Sequence, residues 1–339
     1  MFEFFAGKPV VLSGNCADFQ GGCALGFNAE QGLRAFAKPS GNDFVKIESE
    51  DFGNFEIEIG DTEPKAEEAE SFSALVRGIM NGFIESGNIF GGFDAKIVSE
   101  IPLEEAFAPF EILIGKIISG LFFENSVPPL RLAQFGSAAE NDYYGRPAGI
   151  LKQLVSALGG TVFMDFSEPE MPQCRKIAFD FEKSGFSAAI ISKKNVFDPI
   201  FEETEILKDL ALLSWNMGHN FLSEADEAEF IAQFPILRQK CGERAVFNSL
   251  RFYEDSRKAG EEFEAFLNSD FEGFLKIFKE SSAKDSGKSK TFDFAAGFLG
   301  EKGGAKEFFG KVLAFVPEEK AADFAEEAEK QGFGIVFVL

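Results

Sequence analysis

The sequence predicts an α+β protein with two domains that divide near residue 170. The chain has 339 residues, which exceeds the length at which a single hydrophobic core usually stops growing. Hydrophobic residues make up 45% of it, enough to fill ordinary globular cores. Strand-like and helix-like segments alternate in both halves. We therefore expect one domain over residues 1–170 and a second over residues 171–339.

The first hundred residues predict several strands and one helix. FVKIES and NFEIEIG alternate apolar and polar side chains, which is typical of half-buried strands. FSALVRGIMNGFIESG then places apolar residues at three- and four-residue steps. That spacing predicts an amphipathic helix, which Gly87 ends. GGFDAKIVSEI returns to a strand pattern.

Helical patterns dominate the middle of the chain. They cover FEILIGKIISGLFF, LRLAQFGSAAENDYYG and GILKQLVSALGG, and TVFMDF predicts a buried strand after them. The second half starts with strands at CRKIAFDF and GFSAAIIS and is mainly helical over residues 202–299. A strand at KVLAFVP, a helix at EEKAADFAEEAEKQG and a strand at GIVFVL follow. Residues 279–290, KESSAKDSGKSK, predict an exposed loop.

The charge balance excludes several classes of partner. Against 33 Lys and Arg stand 56 Asp and Glu, for a formal net charge of −23. Such an excess repels phosphate backbones and anionic lipid, so we expect neither nucleic acid nor a membrane surface as a partner. No stretch approaches the roughly 20 apolar residues of a membrane-spanning helix. The apolar start, MFEFFAGKPVVL, lacks the basic residues of a signal peptide, so we expect a cytoplasmic protein.

The cysteines and the histidine offer little chemistry. Cys16, Cys23, Cys174 and Cys241 form neither a CxxC pair nor a metal-ligand spacing, so we expect free thiols and no metal site. His219 is the single histidine and lies far from every motif. The chain also has 44 Phe against 3 Tyr. Phe buries apolar area without needing a hydrogen-bond partner, so the surplus fits either a core or a partner surface.

One loop has the composition of a site. LSGNCADFQGG, residues 12–22, places Asp18 among glycines and small residues, where a strand-to-loop corner would present its carboxylate. The alternative is that Asp18 only caps a turn or a helix.

Two segments carry a resemblance to a known family. LSGNCADFQGG resembles the signature loop G-(N or E)-H-T-D-(H or Y) of galactokinases. AENDYYGRPAGILKQLVSALGGTVFMDF resembles their AEN-x-(Y or F)-x-G-x-P-C-G-(L or I)-M-D-Q, followed by a glycine pair and IDF. Galactokinases belong to the GHMP small-molecule kinases, and further segments match in the same order over nearly the whole chain.

The resemblance implies a fold and a set of ligands. The expected fold is the two-domain GHMP-kinase fold, with an N-terminal nucleotide domain of the ribosomal S5 domain 2-like type and a C-terminal GHMP domain. The implied cofactors are ATP and Mg²⁺, and the implied ligand is galactose or a related sugar. In the signature loop, Asn15 and Asp18 match sugar-binding positions, whereas Cys16 and Phe19 replace polar residues. Gly149 matches the glycine whose backbone borders the sugar.

Both catalytic positions differ from the family pattern. The acid of M-D-Q is replaced by Lys152, and the arginine of A-P-G-R falls on Pro9, with Lys8 beside it. A lysine neutralises phosphate charge, but it cannot serve as the same base or form a planar fork. Neither position therefore offers the expected catalytic residue.

The phosphate-binding segments differ as well. Where the family has G-x-G-L-S-S-S-A-A-F-E, this chain has neither glycine nor serine between Ile101 and Ile114. The degenerate loop consists of Leu103, Glu104, Glu105 and Ala106. Its two carboxylates would repel a triphosphate, although they suit the start of a helix.

Two weaker matches lie farther along the chain. The third glycine motif, G-G-G-F-(A or G)-G, is reduced to Phe308-Phe309-Gly310. Phe197 and Asp198 correspond only loosely to the family's S-H-A-D-L-T segment.

Three interpretations follow from these departures. The expected one is a galactokinase-like protein that has lost catalysis and keeps a sugar, nucleotide or protein ligand. The second is a working ATP-dependent galactokinase with a rearranged active site. The third is a degenerate copy without retained activity. ATP and Mg²⁺ are cofactors only of the second; the first and third need none.

Overall fold

Two long strands at the start of the chain contribute to two structural units. The computed structural model describes residues 1–179, 181–193, 199–283, 289–308 and 310–339. β1 is Phe2–Ser13 and β2 is Cys23–Pro39. One unit contains Met1–Val10 and Gly26–Gly160, and the other contains Val11–Leu25 and Thr161–Leu339. The boundaries of these units thus differ from the predicted contiguous division near residue 170, because the loop after β1 belongs to the same unit as the C-terminal part of the chain.

The first unit is built on a twisted sheet. β3 (Phe44–Glu48), β4 (Phe55–Glu58) and β5 (Phe93–Ser99) join β2 in the order β4-β3-β5-β2, and β1 pairs with β2. β5 runs antiparallel to β2 and parallel to β3. The predicted strands at FVKIES, NFEIEIG and GGFDAKIVSEI are confirmed.

Four longer helices complete the first unit: α2 (Phe72–Glu85), α3 (Phe107–Phe122), α4 (Pro129–Ala138) and α5 (Leu151–Leu158). The predicted amphipathic helix is α2. The Ser71 side chain caps its start by accepting a hydrogen bond from the Ala74 N–H, and Gly87 follows its end with a φ of 77°. The backbone conformation at Gly87 favours glycine, which explains the stop.

A π-helical turn, Ala139–Tyr144, extends α4. The sequence predicts an uninterrupted helix here, and the structure corrects its hydrogen-bond pattern rather than its position. π-turns add a residue to the helical repeat and often occur at functional sites. Gly145, with a φ of 89°, ends the turn.

The second unit combines a helical region with an antiparallel sheet. A short helix α1 (Ala17–Gln20) follows β1, and β6 (Thr161–Asp165) pairs antiparallel with β7 (Gln173–Ile177). The four-stranded sheet has the order β11-β8-β10-β9. Its strands are β8 (Phe186–Lys193), β9 (Gly304–Phe308), β10 (Lys311–Pro317) and β11 (Phe333–Phe337).

Besides α1, the described part of this second unit has six longer helices: α6 (Pro199–Met217), α7 (Glu227–Cys241), α8 (Glu243–Leu267), α9 (Phe271–Ala283), α10 (Lys290–Leu299) and α11 (Ala321–Lys330). They confirm the mainly helical stretch and the predicted late helix. Residues 284–288 of the predicted exposed loop, with Phe197, Asp198 and Phe309, lie outside the described residues.

Sequence patterning missed strand β9. It pairs antiparallel with β10 from Gly304 opposite Phe315 to Phe308 opposite Lys311. Ala305 and Lys306 are neighbours on this strand and both are buried. Because a two-residue alternation of buried and exposed side chains is absent, the segment has no strand signature in its sequence.

The phenylalanine surplus fills the cores of both units. Among the described residues, ten of the twelve largest fully buried side chains are Phe. In the first unit, Phe72 contacts Phe52, Phe107 and Phe110, with ring centroids 4.7–5.3 Å apart. In the second unit, Phe315 contacts several Phe rings of α9. Core packing is therefore the main use of this residue type here.

Over the part of the chain that the structure describes, no helix combines the length and apolar character needed to span a membrane.

Candidate functional site

The signature loop is a tight connection between β1 and β2 within the second unit. Gly14 has a φ of 85°, and a Cβ there would lie 2.1 Å from the Cys23 carbonyl oxygen. Gly21 has a φ of 75°, and a Cβ there would lie 2.2 Å from Ser223 Oγ. Only glycine fits such positions without displacing neighbouring atoms. The two glycines therefore determine the path of the loop around α1.

Helix α8 holds both ends of this loop. Asp255 Oδ2 accepts hydrogen bonds from the backbone N–H groups of Gly14 (2.9 Å) and Asn15 (3.3 Å). One residue later, Ser256 Oγ accepts a hydrogen bond from the Cys23 N–H at 2.8 Å. Consecutive residues of one helix thus fix the start of the loop and the first residue after it.

A lysine on β9 completes the anchor. Lys306 Nζ donates to Asp255 Oδ1 (2.7 Å), the Leu12 carbonyl oxygen (2.9 Å) and Ser13 Oγ (2.8 Å). Burial alone would raise the pKa of Asp255. The charge and hydrogen bond of Lys306, with the two backbone N–H groups, nevertheless hold it below its ordinary value. Asp255 is therefore an ionised partner for Lys306.

A second carboxyl group extends this network into the interior. Ser13 Oγ donates a hydrogen bond to Glu262 Oε1 at 3.0 Å. Glu262 is fully buried, and burial raises its pKa to about 7, against the opposing effect of Lys306. Sequence reasoning missed Asp255, Lys306 and Glu262. The sequence feature that could have indicated them is that each is a charged residue in a segment whose other residues include buried core positions.

The predicted ligand-facing residues of the loop differ in exposure. Asn15 and Asp18 are half-buried, and Asp18 lies in the first turn of α1. Cys16 is buried among Leu210, Leu213 and other apolar side chains, and its φ is 68°. A non-glycine residue in this left-handed region costs on the order of 1–3 kcal/mol. The backbone of the loop is thus strained at Cys16, whose side chain packs against apolar residues.

The predicted arginine-side and phosphate-side residues meet in the first unit. Lys8 Nζ, on β1, lies 2.6 Å from Glu105 Oε2, and both side chains are largely buried. Leu103–Glu105 forms a 3₁₀ turn, followed by Ala106 at the start of α3. Glu104 is exposed, so the two acids of this segment have different environments. The carboxylate of Glu105 is therefore the internal counter-charge of Lys8.

The helix that carries Lys152 is attached to the same strand. Ser156, one turn after Lys152 on α5, donates a hydrogen bond to the Gly7 carbonyl oxygen at 2.9 Å. Gly7 precedes Lys8, so the structure brings the elements of the two predicted catalytic positions together. Lys152 itself is half-buried.

The segment before Gly149 is held by an asparagine. Asn141 Nδ2 donates to the carbonyl oxygens of Ser137 (2.7 Å) and Ala148 (2.8 Å), and its Oδ1 accepts from the Ala148 N–H (3.1 Å). This pairing fixes the backbone immediately before Gly149, which is half-buried. Asn141, the asparagine of the AEN motif, therefore holds the backbone conformation of the segment before Gly149.

Two buried carboxyl groups lie beneath this segment. Gln153 Nε2 donates to Glu111 Oε2 (3.0 Å) and to Glu140 Oε2 (3.1 Å), and Arg146 forms an ion pair with Glu140. Burial, and secondarily Glu140, raise the pKa of Glu111 well above its usual range. Protonation of Glu111 lowers the repulsion between the two buried carboxyl groups.

The remaining predicted residues that the structure describes include His219 and the four cysteines. His219 contacts Glu224 and Glu229 near the surface, away from the loop anchors. The four cysteines are free thiols, and burial raises the pKa of Cys23 to about 11. Within the described ranges, no group of three or more His, Cys, Asp or Glu side chains could hold a metal ion.

Comparisons with known proteins identify galactokinases as similar to this chain over most of its length. No protein-family model matches the chain. The galactokinase of Lactococcus lactis subsp. cremoris is 25% identical over 95% of this chain and 84% of its own length. The crystal structure of Lactococcus lactis galactokinase complexed with galactose superposes with a TM-score of 0.81, at 22% identity, over 99% of this chain and 92% of that one.

The fold extends to kinases of other small molecules. Methanococcus jannaschii mevalonate kinase matches with a TM-score of 0.67 and 17% identity, over 99% of this chain and 97% of that one. The expected two-domain α+β architecture is confirmed. The chain is therefore a homologue of the galactokinases with the fold of the GHMP small-molecule kinases.

Proposed function

We propose that the protein is a catalytically inactive galactokinase homologue that retains a site for galactose or a related sugar. The contact between Glu105 and Lys8, 2.6 Å long, carries this proposal. It places a carboxylate on the cation nearest the expected arginine position. An incoming phosphate would have to displace that carboxylate and remain close to its charge.

The residues present do not fit Mg-ATP. A phosphate cradle needs backbone N–H groups that glycines allow to approach the ligand, and Leu103–Glu105 offers a 3₁₀ turn without glycine. Two carboxylates within several ångströms of a triphosphate each cost on the order of 1 kcal/mol or more. We therefore infer that nucleotide binding was lost and assign no phosphoryl-transfer step to these residues.

The acid position supports the same proposal. Lys152 replaces the family's aspartate, and a lysine cannot accept the sugar hydroxyl proton as that carboxylate would. The nearby buried acids Glu111 and Glu140 share the amide of Gln153. Both side chains are buried in the core, so they are poor substitutes for a base that must reach a substrate.

The sugar side supports retained binding. Asp18 and Asn15 offer carboxylate and amide groups for hydroxyls, and Asp255 and Ser256 fix the loop that carries them. A pre-organised loop loses less conformational entropy on binding than a mobile one. We propose that the second unit, which contains Asn15 and Asp18, is the sugar-side domain and that the first unit is the nucleotide-type domain.

Calorimetric titration tests the proposal. We expect galactose to bind and Mg-ATP to show no measurable heat of binding. Asp18→Asn should abolish galactose binding, whereas Asp43→Asn, at an exposed position, should leave it unchanged. Tight Mg-ATP binding without galactose binding would contradict the proposal. Absence of both would favour the degenerate copy.

The second candidate is a working ATP-dependent galactokinase with a rearranged site. Similarity over 95% of the chain to a galactokinase favours it. Enzymes typically turn over on the order of 1 per second or faster. Formation of galactose 1-phosphate at such a rate would establish this candidate, and we expect none above background.

A further inference from the structure

A pocket of about 380 Å³ lies in the second unit between the β6–β7 hairpin and helix α8. Its lining residues are distinct from the anchors of the signature loop. The volume lies within the range of small-molecule sites, which are typically concave and combine apolar walls with a few polar groups.

The hairpin presents one wall. In its antiparallel register, Phe163 lies opposite Arg175 and Asp165 lies opposite Gln173. Residues two apart on a strand, and residues directly opposite across a pair, project from the same face of the sheet. All four residues line the pocket.

Helix α8 presents the other wall through Gly260, Phe263 and Glu264. Their spacing of three and four residues places them on one helix face. The rings of Phe163 and Phe263 stack, with centroids 4.4 Å apart and planes at 19°. This aromatic pair makes one part of the pocket apolar.

Gly260 keeps the helical wall open. A glycine inside a helix costs about 1 kcal/mol relative to alanine, and close packing is a common reason for one. Here a Cβ would meet no atom within 4 Å, so packing does not require the glycine. The missing side chain of Gly260 leaves free space at the wall of the pocket.

The polar groups of the pocket are opposite charges that do not pair with each other. Arg175 and Glu264 are exposed, and Asp165 is half-buried. Asp165 Oδ1 accepts a hydrogen bond from the Ser167 N–H at 2.9 Å. Arg175 lines the pocket, and among the residues described none lies within ion-pair distance of it, so its guanidinium donors are available to a ligand.

We propose that this pocket binds a small zwitterion with an apolar side chain, of the α-amino acid class. The planar guanidinium of Arg175 matches a carboxylate in a two-bond geometry. Asp165 and Glu264 supply the negative charges that an ammonium group needs. The Phe163 ring supplies an apolar surface for the side chain. This site is distinct from the sugar site proposed above.

Titration of the full chain with L-phenylalanine tests the charge requirement. Phenylethylamine lacks the carboxylate and 3-phenylpropionate lacks the ammonium group. We expect L-phenylalanine to bind at least tenfold more tightly than either analogue. Equal affinity for the three compounds, or no binding of L-phenylalanine, would overturn the proposal, as would galactose binding in this pocket.

Two pairs of variants locate the site. Gly260→Leu should fill the pocket and abolish L-phenylalanine binding. Gly297→Leu is its control, because Gly297 also lies in a helix with no atom within 4 Å of its Cβ position. Arg175→Gln should weaken binding at least tenfold, whereas Lys176→Gln, exposed on the next strand position, should not.

These variants keep the proposal testable if one of them folds poorly, because Arg175→Gln changes no buried side chain. Unchanged binding in either Gly260→Leu or Arg175→Gln would overturn the assignment. Galactose titration of the same variants should match the unmodified protein. A loss of galactose binding in these variants would show that the pocket and the sugar site are not independent, which would overturn the proposal.

Discussion

Lys306 is the residue on which the anchor of the signature loop most depends. Its ammonium contacts Asp255, Ser13 and the Leu12 carbonyl group, and its side chain is buried. Removing one partner of a buried ion pair leaves an uncompensated charge. The consequence should therefore be measurable on stability as well as on loop geometry.

We expect Lys306→Met to lower the free energy of unfolding by about 3 kcal/mol, since it leaves the Asp255 carboxylate without its cation. Urea denaturation measures this change. Lys302→Met, at an exposed position nearby, is the control and should change stability by less than about 0.5 kcal/mol. Equal effects of the two substitutions would contradict the anchoring role of Lys306.

Glu262 should make stability depend on pH. Burial raises its pKa from the ordinary value of 4.5 to about 7 in the folded protein. Between these values the folded state binds more protons than the unfolded state at this group, so its contribution to stability falls as pH rises. Lys306, Lys258 and Asp255 are the charged groups that act on it.

Relative to Glu262→Gln, the unmodified protein should lose roughly 3 kcal/mol of unfolding free energy between pH 4.5 and 8. Below pH 4.5 the carboxyl group is protonated in both states and the difference levels off. Denaturation at a series of pH values measures it. Glu272→Gln, at an exposed position, should follow the unmodified curve. A constant offset between Glu262→Gln and the unmodified protein at every pH would refute the assignment.

At the scale of elements, the turn after β1 depends on glycine for two separable reasons. Gly14 has a positive φ and also lies against the backbone of Cys23 and Ala24. Gly41 has a positive φ of 75° but no atom within 4 Å of its Cβ position. Comparing alanine substitutions at Gly14 and Gly41 therefore separates the cost of backbone strain from the cost of steric overlap.

We expect Gly41→Ala to cost about 1 kcal/mol, the lower end for a strained φ. Gly14→Ala should cost at least about 3 kcal/mol, because a Cβ 2.1 Å from a carbonyl oxygen forces the loop to move. Thermal unfolding compares the two variants. Similar melting temperatures would show that the loop yields readily and that the contact with Cys23 does not hold it.

Some elements were readable from sequence and others were not. α2 has an apolar stripe, a serine cap and a glycine stop, and each is a local signal. β9 has none, because adjacent Ala305 and Lys306 are both buried. Pairing with β10 and the hydrogen bonds of Lys306 decide its conformation, and both contacts are remote in sequence.

At the scale of the whole molecule, the proposed loss of catalysis depends on several departures from the galactokinase pattern. Groups that work as a unit contribute non-additively, so restoring one while others are absent recovers little. We expect Lys152→Asp alone to form no galactose 1-phosphate. Strong activity of this single variant would show that one residue was the whole defect.

Combining Lys152→Asp with a Gly-Leu-Ser-Ser-Ser loop between Pro102 and Phe110 should restore Mg-ATP binding before activity. The replacement removes Glu105 from Lys8 and adds backbone N–H groups for phosphates. Calorimetry measures nucleotide binding and circular dichroism checks the fold. A folded variant that binds no nucleotide would show that this segment was not the obstacle.

The sequence alone determined the α+β class, most helices and strands, and the resemblance that places Asn15, Asp18, Gly149 and Lys152. These conclusions depend on local periodicity, turn residues and ordered motifs, which a linear chain displays directly.

Only the tertiary structure decided how those positions are held. Contacts between residues far apart in sequence paired Lys8 with Glu105, placed Lys306 on Asp255 and buried Glu262 beneath Ser13. Burial and opposite charge select such partners in three dimensions, and the pairing of charged side chains that are far apart in sequence leaves no periodic trace in it.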